Sequence, residues 1–314
     1  MCTGVRFSDG NGNMFFGRNL DWSEDYGQKI VVTPRGYTHH SAFLGDLQPK
    51  YAIIGMGIIQ EDVPLYFDCA NEAGLAIAGL NFPGYAKYED APLDGMTNIA
   101  VYEFPLWVAM NFSTVDEVVS ALANVAIVAK PINEKYPVTM LHWIIGDGQR
   151  SIVAEYTAAG LQVFNNDVDV LTNQPGYAWH KENLRNYMNI SSPQPEKVEW
   201  GSAKLTAFGS GSLMRGLPGD YYSPSRFVRV AYLNTHYPVK SSEEENVARL
   251  FHTLAGVSMI EGAAAMADGN FEKTVYTGGY STASKTYYWN TYDDLSIKKA
   301  VMSDYDLESK ELQS

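Results

Sequence analysis

The sequence predicts an α+β fold in which two antiparallel sheets pack face to face and helices cover both outer surfaces, a four-layer α/β/β/α sandwich. Three observations lead there. Short β-patterned runs follow one another at close spacing, as antiparallel strands joined by turns do. Helical periodicity is confined to a few capped amphipathic segments, and these need a sheet face to cover. No repeat, low-complexity tract or Pro/Gly/Ser-rich linker interrupts the 314 residues, so 1–314 reads as one domain.

The elements follow in order. CTGVRFSD and NMFFGRN flank Asp9-Gly10-Asn11-Gly12, a hairpin turn signal. KIVVTPR, YAIIGMGIIQ, LYFDCAN and GLAIAGLNF continue the strand pattern. Thr114-Val115-Asp116-Glu117 is a capping box, and Val115, Val118, Val119, Leu122 and Val125 form one apolar stripe behind it. VTMLHWIIGD, SIVAEYT and GLQVFNND make a second run of strands. Ser223-Pro224 supplies an N-cap and a first-turn proline for PSRFVRVAYLN. Glu243-Glu244-Glu245 suits a helix N-terminus, and Val247, Leu250, Phe251, Leu254 and Val257 repeat the stripe. TVYTGGYS and KTYYWNTY form a late strand pair.

Composition narrows the function. Apolar residues make up 46% and charged residues 19%, ordinary for a globular enzyme and wrong for disorder. A formal net charge of −13 argues against nucleic acid and anionic lipid, both of which need clustered Lys and Arg. The many aromatics serve a β-rich core or line an apolar pocket. Two cysteines, Cys2 and Cys69, do not make a disulfide scaffold, and a reducing compartment is the simpler reading. No apolar run approaches the ~20 residues that span a bilayer, and no secretion signal is visible. The expected location is cytoplasmic, with no membrane or nucleic-acid partner.

The chemistry concentrates at the start of the chain. Removal of Met1 would expose Cys2 as the first residue. Its free α-amine has a reference pKa of about 7.7–8.0, and its thiol about 8.5. Base and nucleophile would then reside on one amino acid. Arg18 and Asp21 strengthen this reading over an incidental cysteine. If the opening hairpin forms, its second strand carries both charges back alongside Cys2. An arginine there favours thiolate, and an aspartate holds the ammonium. A surface ion pair is the plainer alternative. Cys69, inside LYFDCAN, reads as a small buried apolar residue. The six histidines, His39, His40, His142, His180, His236 and His252, show no metal spacing. A papain-like Cys–His pair has no supporting signature, and GNGN and GSGSLMRG read as turns.

MCTGVRFSDGNGNMFFGRNLDW resembles the start of the choloylglycine hydrolase family, N-terminal-nucleophile (Ntn) amidases that include bile salt hydrolases and penicillin V acylases. FDCANEAGLAIAGLNFPGYA, EFPLWV, LHWIIGDGQRSIV, DVLTNQPGYAWHKENLRNY, GLPGDYYSPSRFVRV and TYYWNTYDD extend the resemblance along the chain. The resemblance implies the Ntn-hydrolase fold, amide hydrolysis through a thioester on Cys2, and no metal or organic cofactor. It implies that Arg18 favours the thiolate and that Asp21 holds the amine. Asn173, in LTNQP, would contact the amine or the oxyanion. Asn81, in GLNFPG, would offer an oxyanion contact, and Arg226, in SPSRF, would anchor the charged network. The implied substrates are glycine- or taurine-conjugated bile salts, with penicillin V or another N-acyl amide as the alternative. Asn81 leans toward the bile salt hydrolases. An apolar steroid pocket draws on the segments around Leu20, Trp22 and Tyr26, the segment 60–65, and the stretch carrying Ile132, Tyr136 and Pro137. The resemblance also implies a homotetramer assembled through a hairpin extension, placed here within 187–216.

Overall fold

A computed structural model describes residues 1–314. Its main strands are β1 (Cys2–Ser8), β2 (Met14–Trp22), β3 (Lys29–Thr33), β4 (Ile53–Gln60), β5 (Val63–Asn71), β6 (Ala76–Asn81), β7 (Leu141–Gly146), β8 (Ser151–Thr157), β9 (Gly160–Asn165), β10 (Val170–Leu171), β11 (Lys273–Ser281), β12 (Thr286–Thr291) and β13 (Lys298–Val301). Six form one sheet in the order β10-β1-β2-β11-β12-β13, and seven form another in the order β9-β8-β7-β6-β5-β4-β3. Every neighbouring pair in both sheets is antiparallel.

The helices are α1 (Phe104–Asn111), α2 (Val115–Leu122), α3 (Tyr177–Asn183), α4 (Ser223–His236) and α5 (Glu243–Ala255). Helix α4 lies on β1, and α5 lies on β2 and β11. Helix α1 lies on β5 and β6, and Val115, Val118 and Leu122 of α2 join the same apolar cluster. Gly4 of β1 faces Ile144 and Leu80 across the gap between the sheets. The expected four-layer sandwich is therefore what the chain forms.

Local signals act as expected in most places. Asp9 Oδ1 accepts from the backbone N–H groups of Asn11 and Asn13, each at 2.8 Å, and Gly12 takes φ +87°, which closes the first turn. The Thr114–Glu117 capping box forms. Three details differ. Helix α2 ends at Leu122, and Val125 begins a short strand (Val125–Val128) paired parallel to Thr97–Ala100. Val257 lies beyond the end of α5, although it is buried. Ser223 is the first helical residue of α4 rather than its cap, and its hydroxyl is bonded elsewhere. Helix α1 had no amphipathic signature because all but its last residue is buried.

Phe104 of α1 is fully buried and meets Trp143 edge-on, with ring centroids 4.6 Å apart. Phe104→Ala is expected to cost about 3–5 kcal/mol through lost burial and a residual cavity. Urea unfolding of the two chains checks this.

Candidate active site

Pairing of β1 with β2 sets Cys2 opposite Leu20 and Gly4 opposite Arg18. Strand alternation then points the side chains of Cys2 and Arg18 into the gap between the sheets. Both are buried. Arg18 Nη2 donates to Cys2 Sγ at 2.7 Å. Its Nη1 donates to the carbonyls of Phe67 and Gly79, at 3.0 and 2.8 Å, and Nε donates to Asn19 O. Burial opposes the charge of Arg18, but the negative potential of Cys2, Tyr276, Asp68 and Tyr287 outweighs it and holds the guanidinium pKa above its ordinary value.

The main-chain atoms of Cys2 are held from the opposite, helix-covered side. Arg226 of α4 donates through Nη1 to Cys2 O at 2.5 Å and to Thr3 Oγ1 at 2.7 Å. Its Nη2 donates to Asn173 Oδ1 at 2.7 Å, and Cys2 N donates to the same oxygen at 2.8 Å. Asp21 Oδ1 accepts from Thr274 Oγ1 at 2.6 Å. Asp21 Oδ2 is buried, receives no hydrogen bond, and lies 4.0 Å from Arg226 Nη1. Burial raises the pKa of Asp21 against the pull of Arg226. The Met1 ammonium donates to Asp21 O at 2.5 Å and pairs with Glu272 at 3.0 Å.

Asn173 is fixed by residues that strand and loop patterns did not single out. Its Nδ2 donates to Asn81 O at 2.7 Å, and its backbone N–H donates to Ser223 Oγ at 2.9 Å. His180 Nε2 donates to Asn173 O at 2.9 Å, and His142 Nε2 donates to Thr172 O at 2.9 Å. Glu155 holds the other nitrogen of His142 at 3.1 Å and also accepts from Tyr177 N. The Asn81 side chain is half-buried and makes no hydrogen bond within the protein. Cys2, Arg18, Asp21, Asn173 and Arg226 thus form one contiguous cluster, with Asn81 at its edge. Cys69 lies outside it, buried in the apolar cluster beneath α1.

The expected pocket residues divide. Leu20 is buried opposite Cys2, and Trp22 is half-buried against the same core. Tyr26 is 40% exposed with its ring 5.6 Å from that of Phe67. Its pKa is pushed up to about 12 by burial, with Glu24 and Cys2 adding. Ile132, Tyr136 and Pro137 share one loop, tied to residue 61 by Asn133 Nδ2 donating to Glu61 Oε1 at 2.7 Å. None of these three hydrogen-bonds to the Cys2 cluster.

Burial lowers the pKa of His180 from 6.5 to about 4, so the imidazole is neutral when folded. A depressed folded pKa gives stability that is present above pH 6.5 and is lost as pH falls from 6.5 toward 4. The loss is on the order of 3 kcal/mol. His180→Gln, which keeps a donor for Asn173, is expected to show a flatter stability profile across that window. Thermal melts at a series of pH values read it.

A family model described as linear amide C–N hydrolases, choloylglycine hydrolase family, matches residues 2–314. The chain is 57% identical over 315 residues to a bile salt hydrolase/transferase of Bifidobacterium longum subsp. longum, covering 100% of this chain and 99% of that protein. It is 46% identical over 313 residues to a conjugated bile acid hydrolase of Lactobacillus acidophilus, covering 99% of each. The crystal structure of the C2A mutant of the conjugated bile acid hydrolase from Clostridium perfringens superposes with a TM-score of 0.93 at 39% identity, covering 100% of this chain and 96% of that one. A buried cysteine at the head of a four-layer sandwich, and a match that begins at that cysteine, converge on one assignment: the chain belongs to the choloylglycine hydrolase family of linear amide C–N hydrolases.

Proposed function

We propose that this chain hydrolyses the amide bond joining a bile acid to glycine or taurine, with Cys2 as nucleophile. The observation that carries the reading is the buried Cys2 sulfur, 2.7 Å from the Arg18 guanidinium, in a chain 57% identical to a bile salt hydrolase/transferase. Removal of Met1 frees the Cys2 amine. Asn173 Oδ1 already accepts from that nitrogen, and the unpartnered Asp21 Oδ2 is the acceptor available to the ammonium.

The chemistry then follows from the geometry. The amine takes the thiol proton, and Arg18 stabilises the thiolate. Sulfur attacks the amide carbon, and the carbonyl π pair moves onto oxygen. Asn81 Nδ2, free of protein partners, donates to that oxyanion, a contact worth about 2.7–4 kcal/mol in comparable sites. The C–N bond breaks as the ammonium returns its proton to the leaving nitrogen. Glycine or taurine departs and a thioester remains. The amine deprotonates a water, which attacks the thioester and releases bile acid and the thiol. These steps call on no metal or organic cofactor. Leu20, Trp22, Tyr26, Ile132, Tyr136 and Pro137 offer apolar surface to the steroid.

The homotetramer belongs to this reading. A hairpin of Val198–Trp200 and Ala203–Leu205 stands in solvent, with Trp200 76% exposed and Phe208 fully exposed. Apolar residues presented this way fit a subunit contact. No helix is long and apolar enough to cross a membrane, and two unpaired thiols suit the cytoplasm.

Purified protein is expected to release glycine and taurine from glycocholate and taurocholate in preference to cleaving penicillin V. Cleavage of penicillin V alone would move the substrate to another N-acyl amide. Binding without product would leave a ligand-binding protein. Cys2→Ser is expected to lose turnover by roughly a thousandfold or more with unchanged circular dichroism, and undiminished turnover would sink the mechanism. Trp200→Ser with Phe208→Ser is expected to lower the mass seen by light scattering, and an unchanged tetramer mass would remove the hairpin from the interface.

A further inference from the structure

Behind the Cys2–Arg18 pair lies a buried polar group that the mechanism above does not use. Asp68 of β5 is 2% exposed. Tyr276 of β11 donates to its Oδ1, and Tyr287 of β12 donates to its Oδ2 at 2.5 Å. A carboxylate from one sheet is thereby held by two phenols from the other. Asp68 is also the carboxylate whose charge acts most strongly on Arg18, with Asp21 acting more weakly. Yet Arg18 makes no hydrogen bond to it: Nη1 goes to two carbonyls and Nη2 to the sulfur.

That arrangement has an electrostatic reading. A guanidinium removed from water needs an opposite charge nearby. A free carboxylate would take it bidentately, the strongest geometry open to it. Here the phenols occupy the carboxylate, so Asp68 balances Arg18 without capturing it.

We propose that Asp68, held by Tyr276 and Tyr287, is a positioning residue for the nucleophile: it keeps Arg18 charged while leaving Nη2 on the Cys2 sulfur. The inference rests on Cys2 being the nucleophile proposed above. Other charged or titratable groups also act on this region. Tyr26 and Tyr276 interact with the thiol, and Arg226, Asp21 and the chain amine lie on its main-chain side. Cys69 neighbours Asp68. Asp68→Asn and Tyr287→Phe leave all of these groups in place.

The two ways of breaking the device have opposite signs. Asp68→Asn removes the strongest countercharge, so the thiolate loses its nearest competitor for Arg18 and is favoured. Tyr287→Phe frees a carboxylate oxygen to draw Nη2 away from sulfur, so the thiolate is disfavoured. Alkylation of Cys2 by iodoacetamide in the Met1-free enzyme, read by peptide mass across pH, reports the thiolate without requiring turnover. The apparent pKa is expected to fall in Asp68→Asn and rise in Tyr287→Phe, each by roughly one unit. The acid limb of kcat/KM on glycocholate is expected to follow the same signs. Should Asp68→Asn fail to fold, the sign in Tyr287→Phe alone decides. Unchanged alkylation profiles, or shifts opposite in sign to these, would overturn the proposal. Loss of amidase activity with the alkylation shifts intact would instead point to a fault in the substrate reading.

Discussion

Burying a guanidinium between two β-sheets is the constraint from which the site's arrangement follows. Taking Arg18 out of water costs several kcal/mol unless its donors and its charge are answered. The answers come from both sheets. Carbonyls of Phe67 and Gly79 approach from the seven-stranded sheet, and the Cys2 sulfur approaches along the six-stranded one. Glycines sit opposite Arg18 on both flanking strands, Gly4 on β1 and Gly278 on β11. A Cβ at Gly278 would come within 2.3 Å of the Tyr287 hydroxyl. The space that admits Arg18 and its tyrosine neighbour is thus made by a missing side chain.

The same strand, read from its other side, explains why Cys2 is so closely held. Its sulfur points between the sheets while its N–H and carbonyl meet Asn173 and Arg226. Two arginines therefore act on one residue from opposite sides of a sheet. Arg18 acts on the sulfur, and Arg226 acts on the backbone and, through Asn173, on the nitrogen. The loop bearing Asn173 is made stiff by Ser223, His180 and the His142–Glu155 pair. Ser223, His180 and His142 each hold a main-chain carbonyl or amide of the loop, and Glu155 braces His142, so the cluster's precision is a property of backbone held by buried side chains.

Much of this was legible in the sequence because the first hairpin announces itself. Asp9–Gly12 fixes the turn, the turn fixes the register, and the register brings Arg18 to Cys2 across 16 intervening sequence steps. Asn81, Asn173 and Arg226 came only through family resemblance, since nothing in their local spacing predicts meeting. Asp68, Tyr276 and Tyr287 were hidden for a different reason. Within LYFDCAN, TVYTGGYS and KTYYWNTY they occupy ordinary strand positions, and alternation does not say which polar strand residue turns inward. Helix α1 was invisible to periodicity because burial on every side erases the pattern.

The central claim is that the base for Cys2 is the chain's own amine, released when Met1 leaves. The direct measurement uses protein made with methionine aminopeptidase inhibited, assayed on glycocholate before and after treatment with the purified aminopeptidase, with intact mass taken at both points. No turnover is expected from the Met1-bearing chain, and full turnover once the mass has fallen by one methionine. Full activity from a chain that still carries Met1 would contradict it.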